Sequence, residues 1–472
     1  MAERLLIVLD VGKTLAKISA WTPAGTLVER FTRQNEGKII DGRRVLDALG
    51  IEAWLSKTLS RIGTKHEIEA IIPVGHGAAA AVIRDGRLAL MPSDYEAPID
   101  VANQASYAAD RGHFAETGSP RLPDGLNLGI QLEQIAATNP GLLTKGSTIL
   151  TWAQYWAWLL TGVAATEVSS LGCHTDLWSP SARSPSALAQ SRGWAELLAP
   201  TRRADEVLGT MSAAWGVRTG LGTKVKVYCG LHDSNAALLA AQGFNEIAAH
   251  ESTVLSTGTW FVAMRFSGAD AQVDIETLAP DRDVLVNVSV EGHAIPSARF
   301  MGGREIQLLT GVDARRIDIR PDQLALLDAL PEVMKSAAMV LPTMAPGFGP
   351  FPHGRGRWLA QPINHLAQRT AVSLYAALVA DVSLDLVGSQ ERLLVEGRFA
   401  DAEVFVRALA TLRPDTTVYV SHAHGDVSYG ALRLLDRTLP PPNALKAVEP
   451  LDFDITGYRD HWREMISREA AV

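Results

Sequence analysis

An acidic residue and a glycine turn follow the first apolar run of the sequence. Leu5–Leu9 is fully apolar, as is typical of a buried strand, and leads into Asp10-Val11-Gly12-Lys13-Thr14. Backbone N–H groups and a hydroxyl in such a turn can bind phosphate oxygens, and the Asp10 carboxylate can hold Mg²⁺ directly or through water. A P-loop is excluded because Ile7 stands where it needs a glycine. A plain hairpin turn with a solvated lysine is the alternative interpretation.

A second acidic residue stands between a strand and a helix in the middle of the chain. Val225–Cys229 is typical of a strand, and Gly230-Leu231-His232-Asp233-Ser234 joins it to a helix predicted over Asn235–Gln242. Asp233 could be a general base, which in phosphoryl transfer mainly orients the attacking hydroxyl. The alternative is that Asp233 or Ser234 only caps the helix.

Other loops carry weaker signals. Thr257-Gly258-Thr259 follows a strand and could be a second phosphate turn, and Gly302-Gly303 could let the backbone approach a nucleotide closely. His422-Ala423-His424-Gly425-Asp426 contains residue types that bind zinc, but Val427 stands where binuclear metallohydrolases add another histidine. A polar strand-to-helix loop is the alternative there.

Strands and helices alternate around these motifs, which predicts an α/β protein with mixed sheets. An antiparallel meander at residues 5–30 and a strand-turn-strand pattern at 251–264 indicate two copies of one phosphate-binding fold. The predicted domains are residues 1–245 and 246–438. Residues 439–472 form a tail, and its Pro440-Pro441-Pro442 predicts an extended path over the surface. An aromatic stripe on the helix predicted over Thr151–Leu160 indicates buried core more than a ligand site.

Composition narrows the class of protein. The 472 residues include 47% hydrophobic and 20% charged residues, which excludes a disordered or membrane-protein composition. The net charge is −8 and no basic cluster stands out, so we expect no nucleic-acid partner. Only two cysteines are present, the first apolar run is too short for a secretory signal, and no uninterrupted apolar stretch reaches membrane-span length. We therefore expect a cytoplasmic protein without a membrane partner.

Taken together and in order, the motifs resemble the FGGY family of carbohydrate kinases, within the actin/sugar-kinase/heat-shock superfamily. The resemblance extends over most of the chain. The matching segments are Asp10–Thr14, Gly75-His76-Gly77 with Asp85-Gly86, Leu160-Thr161-Gly162 with Thr166-Glu167-Val168-Ser169, Trp178, His232-Asp233-Ser234, Ser256–Thr259 and Gly347–Gly356.

The resemblance implies an α/β fold of two actin-like (ribonuclease H-like) domains with a cleft between them. It implies sugar binding on the N-terminal domain, nucleotide on the C-terminal domain, ATP and Mg²⁺ as cofactors, and no partner beyond sugar and ATP; a homodimer is left open. Asp233 would be the catalytic base, and Asp10 and Asp233 would hold the metal. The substrate-binding residues would be His76, Gly77, Asp94, Tyr95, Gln131, His232 and Asp233. The cofactor-binding residues would be Gly12, Lys13, Thr14, Thr257, Gly258, Thr259, Gly302, Gly303 and Gly397.

The sequence departs from the family pattern at three places. Glu167 stands where an aspartate is usual. Glu396-Gly397-Arg398 stands where three glycines normally follow a strand, so flanking side chains could reshape the nucleotide pocket. Pro92–Glu96 lacks the Trp/Tyr-x-Asp-x-Arg form of many relatives, which leaves the sugar open.

The expected function is ATP-dependent phosphorylation of a primary hydroxyl of a ketose. His232-Asp233-Ser234 is closest to the His-Asp-Thr form of rhamnulokinases and favours L-rhamnulose or L-fuculose. The alternatives are a pentulose kinase acting on xylulose or ribulose, a catalytically weak kinase-like sugar sensor suggested by Glu396 and Arg398, and a zinc hydrolase at the His422 loop.

Overall fold

The computed structural model describes residues 4–268, 272–313, 317–421 and 427–470. The chain divides into two compact units. Unit 1 comprises Met1–Ala240, Val286–Ala294 and Asp426–Leu439, and unit 2 comprises Ala241–Leu285, Ile295–Gly425 and Pro440–Val472. Each unit is therefore discontinuous in sequence, whereas the domain limits predicted at residues 245 and 438 cut the chain into continuous pieces.

The strands are short, and most follow the apolar runs of the sequence. In chain order they are β1 (Arg4–Val11), β2 (Leu15–Trp21), β3 (Leu27–Gln34), β4 (Lys38–Ile40), β5 (Arg43–Val45), β6 (Glu67–Gly75), β7 (Ala80–Arg84), β8 (Arg87–Leu88), β9 (Ser147–Thr151), β10 (Trp178–Ser179), β11 (Ser184–Pro185), β12 (Val207–Thr210), β13 (Lys226–Tyr228), β14 (Leu231–His232), β15 (Ser252–Thr257), β16 (Phe261–Phe266), β17 (Val284–Val288), β18 (Ala294–Phe300), β19 (Met339–Leu341), β20 (Arg357–Leu359), β21 (Arg392–Gly397), β22 (Thr417–Val420) and β23 (Lys446–Ala447).

The helices alternate with these strands, and short 3-10 turns lie at Ile275–Thr277, Pro280–Arg282, Arg320–Asp322 and Arg398–Asp401. The α-helices are α1 (Ala48–Gly63), α2 (Val101–Asp110), α3 (Phe114–Thr117), α4 (Leu128–Thr138), α5 (Trp152–Thr161), α6 (Val168–Leu171), α7 (Ala187–Ser191), α8 (Ala213–Thr219), α9 (Asp233–Ala241), α10 (Asn245–Ala248), α11 (Gly302–Thr310), α12 (Gln323–Asp328), α13 (Leu330–Ser336), α14 (His365–Val387), α15 (Glu403–Leu412), α16 (Val427–Leu435) and α17 (Thr456–Ala470).

The main sheet of unit 1 brings three strand ends to one edge. Its order is β12-β13-β6-β1-β2-β3, with β14 also paired to β6. Strands β1, β2 and β3 form the predicted antiparallel meander, while β1 and β14 run parallel to β6. In register, Asp10 faces Val74 across β1 and β6, and His232 faces Gly75 across β14 and β6. Because parallel strands end at the same edge, residues after these positions lie together.

The second large sheet, of order β17-β18-β16-β15-β21-β22-β23, repeats this arrangement, and its strands β15, β16, β21 and β22 belong to unit 2. Strand β15 is antiparallel to β16 and parallel to β21, just as β1 is antiparallel to β2 and parallel to β6. Thr257 pairs with Gly397 at the carboxyl ends of β15 and β21. The repeat predicted from residues 5–30 and 251–264 is therefore confirmed by the strand topology.

Two apolar helices show how the cores are filled. In unit 1, α5 buries Trp152, Tyr155 and Trp156, which confirms that the aromatic stripe is core. In unit 2, α14 is long and apolar enough to cross a membrane by length and composition, yet 83% of its most apolar window is buried within the fold. Its neighbours in the core include α11, α13 and α15, so it is the central core helix of its unit.

The predicted extended tail was wrong. After the prolines, β23 pairs with β22 and α17 docks on unit 2. The Trp462 side chain is 0% exposed, and its Nε1 donates to the Val340 carbonyl at 2.8 Å. The Tyr458 hydroxyl donates to the Ala338 carbonyl at 2.7 Å. The prediction relied on the three prolines and did not use the helical spacing of the apolar residues that follow them. In the structure these apolar residues pack against β19, which orders the segment.

Candidate active site

The polar residues of unit 1 that the motifs pointed to meet at the edge formed by β1, β6 and β14. Asp10 lies on β1, His76 follows β6, and Asp233 follows β14 as the first residue of α9. Neighbouring strands lie about 4.8 Å apart, so the backbones of β1 and β14, with β6 between them, are about 10 Å apart. This spacing suits two carboxylates that share a substrate or a hydrated ion rather than contact each other.

Asp233 has one carboxylate oxygen fixed and one available. Its Oδ1 accepts from the Ser234 backbone N–H at 2.7 Å and from the Ser234 hydroxyl at 3.3 Å. His232 Nε2 lies 3.1 Å from the same oxygen. Within the described residues these contacts all fall on Oδ1, which leaves Oδ2 to accept a proton. Burial raises the pKa of Asp233 from 3.8 to about 6, against a lowering by Ser234 and by the charge of Lys17.

The His232 ring is oriented by three neighbours. The Asn235 amide lies 3.3 Å from Nδ1 and can donate only from its nitrogen, so Nδ1 accepts and Nε2 carries the proton. Nε2 can then donate to Asp233, and the Cys173 sulfur lies 3.2 Å from it. Burial lowers the pKa of His232 to about 4, which keeps the ring neutral at pH 7. Gly77, which was predicted to contact sugar, packs against the same group of side chains, because a Cβ at this position would overlap the Cys173 sulfur.

His76 is a half-buried imidazole whose ring nitrogens have no hydrogen-bond partner among the described residues. Neither ring nitrogen makes a hydrogen bond, although both are shielded from solvent. The ring packs edge-on against Tyr95, with centroids 5.9 Å apart, and beside Trp152 at 6.2 Å. Burial, reinforced by the charges of His232 and Lys13, lowers the pKa of His76 to about 3. A neutral imidazole with both nitrogens unused can donate one hydrogen bond and accept another from a bound hydroxyl.

The glycine turn after β1 is held by contacts within unit 1. Gly12 N–H donates to the Leu15 carbonyl at 3.0 Å, and the Asn35 amide donates to the Gly12 carbonyl at 2.9 Å. Asp10 is buried and pairs with Lys17 Nζ at 3.0 Å, across the β1–β2 register. Carboxylate oxygens are the ligands that Mg²⁺ prefers, and one or two carboxylates suffice when waters and phosphates complete the shell. The Asp10 and Asp233 carboxylates thus fit the magnesium that the resemblance implies.

Lys13 is bound to the segment predicted to contact sugar. Its ammonium lies 3.0 Å from Asp94 Oδ1, pairs with Glu96 as well, and sits 4.0 Å from the Tyr95 ring centroid. Asp94 is 1% exposed and also accepts from Arg44 Nε at 3.1 Å. The sequence predicted that Lys13 binds phosphate and that Asp94 binds sugar, whereas in the structure these two side chains form an ion pair with each other.

A cavity of about 390 Å³ opens beside this network. The Gly12–Thr14 turn, Asn35, Asp94 and Trp152 are among its lining residues. A volume of this size is within the range of small-molecule sites, and most of the lining residues are polar or charged. Gln131, predicted to contact sugar, instead uses its amide N–H groups on the carbonyls of Ala78 at 2.9 Å and Gly125 at 2.6 Å, so it holds the loops behind the site.

Unit 2 has a matching turn where β15 and β21 end. Gly258 N–H donates to the Trp260 carbonyl at 3.0 Å, and a Cβ on Gly303 would overlap the Gly258 carbonyl. Gly397 has φ +87°, and a Cβ there would overlap the Thr257 carbonyl. The Thr257 hydroxyl is already used, because it donates to the Glu396 carbonyl at 2.6 Å and accepts from Phe399 N–H at 3.0 Å. Phosphate binding here would therefore fall to backbone N–H groups and to Thr259.

Comparisons with known proteins decide the family. A sequence profile described as the C-terminal domain of FGGY carbohydrate kinases matches residues 249–442. The chain is also similar to the crystal structure of a carbohydrate kinase from Novosphingobium aromaticivorans, with 52% identity, a TM-score of 0.94 and 99% coverage of each chain. The protein belongs to the FGGY carbohydrate kinase family. The predicted fold class and the predicted enzyme class, an ATP-dependent carbohydrate kinase, are thereby confirmed, and membership favours an enzyme over the sugar sensor.

More distant kinase structures agree in fold. Plasmodium falciparum glycerol kinase with ADP has 13% identity to this kinase, 99% and 98% coverage of the two chains and a TM-score of 0.80. Ligand-bound xylulose kinase from Lactobacillus acidophilus has 13% identity, the same coverages and a TM-score of 0.79. At such identity these likenesses show the fold alone. The comparison with curated proteins gives no match.

The departure at Glu396 places a carboxyl group beside the second turn of this FGGY kinase. Glu396 is buried, and its Oε1 accepts from the Ser256 hydroxyl at 2.5 Å. Burial raises the pKa of Glu396. The side chain thus fills space that a glycine would leave open next to the Thr257–Thr259 turn.

Sequence reasoning missed three contributors to the site of this kinase. Asn35 and Cys173 carried no motif, and the aromatic stripe containing Trp152 was interpreted as core more than as a ligand site. The position of Asn35 directly after β3 could have indicated that it lies near the glycine turn. No sequence signal could have indicated Cys173, because its neighbour His232 is distant in sequence. The His422–Asp426 zinc motif lies outside the described residues, within which no group of three potential metal ligands is found.

Proposed function

We propose that this kinase transfers the γ-phosphoryl group of ATP to a primary hydroxyl of a ketose, with Asp233 as the general base. The observation that carries the proposal is the Asp233 carboxylate, whose Oδ1 is held by its neighbours while Oδ2 remains available. A carboxylate with a pKa of about 6 is mostly ionised at pH 7 and is a better proton acceptor than an ordinary aspartate.

The sugar would lie against the edge formed by β1, β6 and β14. His76 would bind a sugar hydroxyl, because a neutral imidazole can both donate and accept there. Tyr95 and Trp152 would pack against the apolar side of the sugar, and Asp94 would act through Lys13, which it holds in place. The main task of these residues is positioning, which supplies much of the rate in phosphoryl transfer.

The charges beside Asp233 would assist the transfer. Lys17 pairs with Asp10 and lowers the pKa of Asp233, so its ammonium adds positive charge near the reacting oxygen. Asp10 and Asp233 would hold Mg²⁺, which when bound neutralises charge on the phosphates. The nucleotide would be bound by unit 2, where Gly303 and Gly397 pack closely on the Thr257–Thr259 turn and their lack of side chains would let a phosphate approach the backbone.

The proposed sugar is L-rhamnulose or L-fuculose. Its support is the likeness of His232-Asp233-Ser234 to the form found in rhamnulokinases. Pentuloses are the second candidate, because a xylulose kinase from Lactobacillus acidophilus shares the fold. The two candidates differ by one carbon, so the size of the pocket near Tyr95 and Trp152 would separate them.

Sugar-dependent ADP release tests the proposal. The purified protein receives MgATP and a panel of L-rhamnulose, L-fuculose, both enantiomers of ribulose and xylulose, glycerol and erythrulose, with the Asp233→Asn variant in parallel. We expect the highest kcat/KM with a deoxy-ketose. A preference for a pentulose would move the assignment to the second candidate. Turnover by Asp233→Asn within tenfold of wild type would refute the role of Asp233 as the base.

A further inference from the structure

Glu167 is a buried carboxylate that collects four hydrogen bonds next to the catalytic loop. Its side chain is 0% exposed and caps α6. The backbone N–H groups of Ser169 and Ser170 donate to it at 2.8 and 3.1 Å, and their hydroxyls donate at 2.6 and 3.2 Å. Four donors around one carboxylate fix its position and also fix the proton of each serine.

One of the two serines extends this cluster to the base. The Ser169 hydroxyl gives its single proton to Glu167, so a lone pair is left to accept from the His232 backbone N–H at 3.1 Å. His232 is the residue directly before Asp233. Ser170 touches the same carboxylate but makes no such bond to the His232 backbone in the described part of the chain.

The segment held in this way is short. Strand β14 has only two residues and pairs with β6. Ser169 therefore supplies, from a side chain, a hydrogen bond that a neighbouring strand would otherwise give to the His232 backbone. The direction of α9, and with it the position of the Asp233 carboxylate, depends on this backbone.

We propose that Glu167, acting through Ser169, is a positioning residue for phosphoryl transfer: it fixes the backbone at His232 and so sets the orientation of Asp233. The inference rests on the proposed role of Asp233 as the base. It adds a residue that touches neither sugar nor nucleotide. Because catalysis depends strongly on placement of the base, loss of the link should lower kcat more than it raises KM.

The chain offers a matched pair of variants. Ser169→Ala removes the bond to His232, while Ser170→Ala removes a hydroxyl from the same carboxylate and leaves that bond intact. Kinetics are measured on the full chain with MgATP and L-rhamnulose, or with the ketose of the panel that gives the highest turnover. We expect Ser169→Ala and Glu167→Gln to lower kcat tenfold or more with KM changed less than threefold. Ser170→Ala should stay within twofold of wild type in kcat.

A second measurement does not depend on activity. Hydrogen exchange followed by mass spectrometry should show faster exchange in the peptide around His232 in Ser169→Ala, and no change there in Ser170→Ala. Equal kinetic losses in the two serine variants, or an unchanged kcat in Ser169→Ala, would overturn the inference. If Asp233→Asn instead keeps its turnover, the proposed function fails, whereas the exchange result still reports whether Ser169 fixes the backbone.

Discussion

Asp233→Asn should make the protein more stable while it removes the activity. In the folded chain, burial raises the pKa of Asp233 from 3.8 to about 6. The folded state therefore holds this proton more tightly than the unfolded chain does, and stability falls as the pH rises from about 4 to 6. Above pH 6 the whole penalty of an ionised buried carboxylate is present. Asparagine has no charge to bury and keeps the oxygen that accepts from Ser234.

The size of the gain follows from the two pKa values. The difference between 3.8 and about 6 corresponds to about 3 kcal/mol in the free energy of unfolding. The Asp233 side chain is 30% exposed, so solvent screening reduces the figure to about 1–3 kcal/mol. At about 2 °C per kcal/mol, the melting temperature at pH 7.5 should rise by about 2–6 °C. The gain should be about half as large at pH 5.

Thermal unfolding at pH 7.5 and pH 5, together with ADP release, checks this prediction. The control is Asp85→Asn, in the exposed β7–β8 turn, where φ is +51° and asparagine is well tolerated. The control should change neither stability nor activity. Asp233→Asn should lose about 10²–10⁴-fold in kcat, and wild-type kcat/KM should fall tenfold for each pH unit below about 6. A variant that is less stable than wild type at pH 7.5 would refute the reasoning.

Three further changes follow from the packing. Gly303→Ala places a Cβ against the Gly258 carbonyl and should raise the KM for ATP, measured by ADP release, with little change in the KM for sugar; Gly457→Ala, where a Cβ meets nothing, is the control. Trp462→Ala leaves a cavity at a fully buried position and should lower the free energy of unfolding by about 3–5 kcal/mol in a urea titration. Unchanged stability would mean that this segment is not packed on the core. Asp94→Asn weakens the ion pairs of this buried carboxylate with Lys13 and Arg44 and should cost about 1–3 kcal/mol by the same titration; unchanged stability would contradict the pairing of Lys13 with Asp94.

The local elements around the site could be predicted because their signals are local. Apolar runs such as Leu5–Leu9 form buried strands, and the helix expected over Asn235–Gln242 is found at Asp233–Ala241. The repeat of meander and turn was visible for the same reason. The extended tail was wrong because the prolines affect only a few residues, while the helix behind them forms against a surface that the sequence does not display.

The sequence by itself determined the fold family, the acids Asp10 and Asp233, and the glycines that let backbone segments approach each other. Those features depend on residue type within one short segment. Only the tertiary structure decided that Lys13 pairs with Asp94, that Gln131 supports loops, and that Glu167 reaches His232 through Ser169. It also decided that the His76 ring nitrogens find no hydrogen-bond partner within the described parts of the chain. Such contacts join residues far apart in the chain, and burial, which sets both their hydrogen bonds and their pKa values, exists only once the strands have been brought together.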